Sequence, residues 1–90
     1  MTHNPYTEYK LNSDTFIRTF YCNVLQDELV WHRDKRNRIV EVLEGESWMI
    51  QFDEHLPKFL EPGEEFVIPA YTYHRIKRGT SDLTLKITEV

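Results

Sequence analysis

Only three glycines stand in the chain, at Gly45, Gly63 and Gly79, and each separates short runs rich in β-branched and aromatic residues. That punctuation constrains the fold more than any other feature. A helix of ordinary length needs an apolar face recurring every 3.6 residues, and no such period here extends beyond two turns. Glu61-Pro62-Gly63-Glu64 has the chemistry of a type II turn, because proline presets φ at the second position and glycine supplies positive φ at the third. Gly79-Thr80-Ser81-Asp82 is a second cluster of turn formers. Between these joints the sequence predicts strands over residues 15–24, 28–33, 38–43, 47–52, 58–60, 65–68, 73–77 and 83–88. Short strands at near-regular spacing imply an antiparallel all-β barrel or sandwich. Residues 1–14 show no clear period and read as an arm or an edge strand.

Ninety residues make one domain, 1–90, with hydrophobic residues at 40% and so enough to fill one small core. A chain this short buries a low fraction of its surface when alone, so a homodimer is the expected state. The net charge of −4 argues against a nucleic-acid partner, which calls for a basic face. Cys22 is the single cysteine, which excludes an internal disulfide. The polar first ten residues lack an apolar signal core, and no stretch is long enough to span a membrane. The expectation is a cytoplasmic protein with no membrane partner.

Two segments resemble the paired signature motifs of the cupin superfamily. The second family motif runs Gly, five residues, Pro, one residue, Gly, two residues, His, three residues, Asn. Gly63, Pro69, Tyr71, His74 and Arg78 reproduce that spacing, with Gly63, Pro69 and His74 matching in identity. Tyr71 replaces the second Gly, and Arg78 the Asn. The first family motif runs His, one residue, His, three or four residues, Glu, six residues, Gly. His32, Asp34, Arg38 and Gly45 keep that spacing, with Asp34 in place of the second His and Arg38 in place of the Glu. The resemblance covers residues 26–88 and implies a double-stranded β-helix, or jelly-roll, cupin barrel.

Alternation along a strand points His32 and Asp34 the same way, and the cupin frame makes that way inward. By the same rule Arg38, Val40 and Val42 share one inward face, and His74, Ile76 and Arg78 another. Two imidazoles and a carboxylate from His32, Asp34 and His74 then form a set suited to a divalent metal such as iron, zinc, nickel or manganese, with open positions for a substrate. Arg38 stands where a ligand carboxylate belongs. At ~5 Å and an effective dielectric near 20, its repulsion of a divalent ion is about 6–7 kcal/mol before compensation. Arg38 therefore turns away, or pairs with Asp34, or no metal binds.

Three functions are compatible with this pattern. The first is a metal-dependent enzyme of dioxygenase, isomerase or lyase type acting on a small molecule, with His74 and Arg38 as catalytic groups. The second is a metal-free module that binds a sugar or organic anion through Arg38 and Arg78, flanked by Tyr71 and Tyr73, since planar guanidinium groups hold carboxylates bidentately. The third is a non-catalytic structural barrel. Trp48, Ile50 and Phe52 alternate as core residues, and Phe16 and Phe20 share one face of a strand whose other face carries Ile17 and Tyr21. Trp31 faces away from His32. His3 and His55 read as solvated, and Cys22 as buried filler.

Overall fold

The computed structural model describes residues 5–90. His3 therefore lies outside the described residues. Among the described residues eight strands form, in chain order β1 (Tyr6–Lys10), β2 (Thr15–Phe20), β3 (Arg38–Glu44), β4 (Met49–Phe52), β5 (Lys58–Phe59), β6 (Glu65–Ile68), β7 (His74–Lys77) and β8 (Leu83–Glu89). A five-stranded sheet has the order β1-β2-β8-β3-β6, and a three-stranded sheet the order β5-β4-β7. All pairings are antiparallel. The two sheets make an all-β jelly roll, and the apolar positions of their inner faces fill the space between them.

Alternation sets that interior. Phe16 and Phe20 from β2, Val40 and Val42 from β3, Ile50 from β4, and Leu83, Leu85 and Ile87 from β8 join one buried cluster with Trp48. Trp48 is wholly enclosed and donates its indole N–H to the Ser81 carbonyl at 2.6 Å. Phe52 is half-buried against the same cluster. Gly79 makes this packing possible, because a Cβ there would collide with the Glu46 carbonyl and the Trp48 backbone. The predicted type II turn is present: the Glu64 N–H donates to the Glu61 carbonyl at 3.0 Å, and Gly63 adopts φ +90°.

Two expectations need correction. The strand predicted over residues 28–33 does not form. Gln26–Glu28 is a single 3-10 turn instead, and the Glu28 carboxylate accepts the Leu25 N–H at 2.9 Å. Such a local side-chain bond competes with strand pairing. Only His32 from that segment joins a sheet, by reciprocal backbone bonds to His74 at 3.0 and 2.9 Å. The count of eight is restored by β1, the edge-strand alternative for the N-terminal residues. Cys22 is exposed rather than buried, because β2 ends at Phe20 and the chain turns there, with the Cys22 N–H donating to Asp82.

Candidate metal centre and its cavity

The single bridge between His32 and His74 is the local cause of the site. It sets two extended segments side by side, so both imidazoles project from the same face, with ring centroids 4.3 Å apart. Asp34, two residues beyond His32, falls on that face as alternation requires. Its Oδ2 lies 3.5 Å from His74 Nε2, and its Oδ1 4.0 Å from His32 Nε2. One ligand atom from each of the three side chains lies within 4.8 Å of the others. Ligands bonded to one ion at about 2.1 Å stand roughly 3–4 Å apart, so the spacing is close to that of a bound set.

Hydrogen bonds at the far side of each ring fix which nitrogen faces inward. His32 Nδ1 lies 3.1 Å from the Val30 carbonyl, and His74 Nδ1 2.8 Å from the Thr72 carbonyl. A carbonyl only accepts, so Nδ1 of each neutral ring carries the hydrogen and Nε2 holds a lone pair. This support of the distal ring nitrogen is the pattern that orients metal-ligating histidines. Asp34 Oδ2 is buried without a hydrogen-bond partner among the described residues. Three acceptor atoms thus converge with no donor between them, an arrangement that a cation satisfies. The residues fit a divalent metal.

Arg38 takes the second of its three options, with one addition. Its Nη1 lies 3.3 Å from Asp34 Oδ1, while Nε and Nη2 both donate to Glu89 Oε2 at 3.2 and 3.0 Å. Glu89 is the direct cross-strand partner of Arg38. The guanidinium charge is therefore shared between two carboxylates, and Asp34 Oδ2 stays available. This sharing offsets much of the repulsion expected between Arg38 and a divalent ion.

His74 is 3% exposed. Burial, and after it the nearby charges of His32 and Arg38, hold its pKa below the ordinary 6.5, against the opposing pull of the Thr72 carbonyl and Asp34. The folded chain therefore binds fewer protons at this residue than the unfolded chain does. Stability from this source is complete above pH 6.5 and is lost as the pH falls below it, until the folded pKa is also passed. Urea midpoints of the metal-free chain should drop between pH 7.5 and pH 5, and His74→Gln should drop less over the same interval. Parallel curves for the two proteins would contradict the assignment.

A cavity of about 280 Å³ opens beside the centre, lined in part by His32, Asp34, Arg38, Leu29 and Ile76. A smaller inner pocket of about 40 Å³ reaches His74 and again touches His32 and Arg38. Arg78, Tyr71 and Tyr73 line neither space. Arg78 is exposed and donates through Nη1 to the Val24 carbonyl, because the chain leaves β7 at Lys77. Tyr73 precedes His74 and so faces outward, where the Arg33 guanidinium stacks 5.1 Å from its ring. Trp31 likewise stands on the outer side under Arg75. His55 is exposed, as expected.

Tyr71 holds φ at +61° although it is not glycine. Its N–H donates to the Asp34 carbonyl at 2.7 Å, tying the His32–Asp34 segment to the turn before β7. The backbone geometry at this motif position is kept while the glycine is not. Left-handed φ costs a side chain about 1–2 kcal/mol, partly balanced by the entropy that glycine loses on folding. Tyr71→Gly is expected to raise stability by about 0.5–1 kcal/mol, read as a higher urea midpoint. A lower midpoint would mean the exposed ring stabilises more than the backbone strain costs.

Several cavity residues lie outside the two motifs, Arg18 and Glu28 among them. Arg18 lines both spaces, and its side chain is 12% exposed. The signal was present, since Arg18 alternates with Phe16 and Phe20 and so must share their inward face.

No family model matches the chain, and no curated protein matches it in sequence. Solved structures match it in shape. HppE with cobalt(II) and Tris buffer superposes at TM-score 0.78 and 15% identity, over 100% of this chain and 56% of that one. A cupin 2 conserved barrel domain protein from Leptotrichia buccalis gives 0.73 at 20% identity, over 100% and 43%. The DMSP lyase DddQ from Ruegeria pomeroyi DSS-3 gives 0.71 at 16%, over 94% and 46%. The chain thus spans about half the length of these structures. An all-β jelly roll with an inward His-x-Asp…His group is the class that the coordinates define. Within that class, the fold of this chain is the cupin fold. No helix among the described residues is long and apolar enough to cross a membrane.

Proposed function

We propose that this chain binds one divalent metal ion through His32 Nε2, His74 Nε2 and the Asp34 carboxylate, and acts on a small molecule held in the adjoining cavity. The observation that carries the reading is the convergence of three acceptor atoms, one of them the unpartnered Asp34 Oδ2, with both imidazoles oriented from behind. A packing role does not need this arrangement. Two facing imidazole lone pairs and a buried carboxylate oxygen, Oδ2, without a donor of its own cost stability unless something positive sits among them. That HppE occurs with cobalt(II) on the same fold supports the reading.

When bound, such an ion acts as a Lewis acid that polarises an oxygen of its ligand and lowers the pKa of coordinated water. The chain's own groups do the rest. The Val30 and Thr72 carbonyls hold the imidazoles in one tautomer. Arg38 fixes Asp34 through Oδ1 and places a positive charge at the cavity wall, suited to an anionic group of a substrate. Leu29 and Ile76 give the cavity apolar wall surface. A dioxygenase, isomerase or lyase reaction is compatible with three ligands that leave coordination positions open. Metal analysis of untagged protein, followed by titration with iron(II), zinc, nickel and manganese, tests the proposal. One ion per chain is expected, and failure to take up any of them would end it.

A further inference from the structure

The cavity contains a charge that the metal reading leaves without work. Arg18 occupies a core-facing position of β2 between two buried phenylalanines, where an apolar side chain would pack more cheaply. Its guanidinium is held rigid. Nε donates to Glu8 Oε2 at 2.8 Å and Nη2 lies 2.7 Å from the same oxygen. The Tyr6 ring lies under it at 3.9 Å and the Phe16 ring at 5.3 Å. Nη1 has no partner among the described residues. Arg38, by contrast, has Nε and Nη2 committed to Glu89 and Nη1 against Asp34. Arg18 is therefore the cationic wall group with donors to spare.

From this placement we infer that the cavity is a binding site for a small organic acid, with Arg18 as the anchor of its oxyanion and apolar walls receiving its body. Phe20, Leu29, Val30 and Ile76 supply those walls. The volume of about 280 Å³ is at the lower end of ligand sites, which sets the size class. The anion completes the guanidinium's hydrogen bonds in place of water, and the stacked Tyr6 ring keeps the donor plane from swinging. A carboxylate and a phosphate share this chemistry. The inference rests on the cavity being a small-molecule site, as proposed above, but not on a metal being present.

The test uses the full chain after dialysis against chelator, titrated calorimetrically with butyrate, with propyl phosphate and with neutral butyramide. Saturable binding of one or both anions is expected, with butyramide at least tenfold weaker. The stronger of the two anions identifies the headgroup. Arg18→Gln should weaken anion binding at least tenfold while metal uptake stays as in the wild type. Glu8→Gln should strengthen it, because the competing carboxylate is removed, and this variant remains informative if Arg18→Gln fails to fold. Equal affinity for butyramide, an unchanged anion affinity in folded Arg18→Gln, or weaker binding in Glu8→Gln would each overturn the assignment. Loss of metal uptake in the wild type, with anion binding intact, would instead sink only the metal reading.

Discussion

Metal-free chain titrated with cobalt(II) at pH 7.5 is expected to bind one ion and to develop visible absorption, and Asp34→Ala is expected to lose at least about 100-fold in affinity. That loss corresponds to about 2.7 kcal/mol. Asp34 is the decisive residue because it supplies the only negative charge in the set, and its Oδ2 has nothing else to bind. The binding energy should also appear as folding stability. At a free metal concentration 1,000 times the dissociation constant the gain is about 4.1 kcal/mol, a large share of what a domain of this size has in total. The wild type should therefore melt well above its metal-free form, and Asp34→Ala at the same metal concentration should gain at most about 1.4 kcal/mol. Without metal two effects oppose each other. Removing Asp34 relieves the facing acceptors but leaves Arg38 with Glu89 alone, so metal-free Asp34→Ala should differ little from the metal-free wild type. An Asp34→Ala protein that binds cobalt(II) as tightly as the wild type would show that the ion sits elsewhere.

The parts of the fold that could be read in advance are those set by short-range chemistry. Pro62-Gly63 specified its turn, and alternation placed Val40, Val42, Trp48 and Ile50 inside. His32 and His74 were legible as a pair because motif spacing carried long-range information that local pattern lacks. What stayed hidden depended on partners far along the chain. Residues 28–33 have the composition of a strand, yet the neighbour they would need is available only to His32. Arg38 was seen as an obstacle to a metal because its second carboxylate, Glu89, becomes its neighbour only through the β3–β8 register. Arg78 was placed inward by extending the alternation of β7 past its end, where the chain has already turned to meet Val24 and Gln26. Arg18 alternates with Phe16 and Phe20 but lies outside both motifs, so nothing in the spacing attached chemistry to it.

Trp48→Ala is expected to remove about 3–5 kcal/mol of stability, the largest single loss open to this core. Trp48 is 0% exposed and bridges the two sheets, its ring 5.9 Å from that of Phe20 on β2 while its backbone carbonyl accepts the Leu60 N–H. Truncation leaves a cavity that the surroundings cannot readily close, because Gly79 meets Trp48 with backbone alone. It also strands the Ser81 carbonyl, which loses its indole donor. A domain of 90 residues has roughly 5–13 kcal/mol in all, so the metal-free variant should melt far below the wild type. The three ligand residues are unchanged in this variant. Saturating metal should then raise the melting temperature of Trp48→Ala by mass action on the folded state, and raise that of the double variant Trp48→Ala, Asp34→Ala far less. Circular dichroism melts with and without cobalt(II) measure both effects. A Trp48→Ala chain as stable as the wild type would mean that the two sheets are held together by something other than this shared apolar interior.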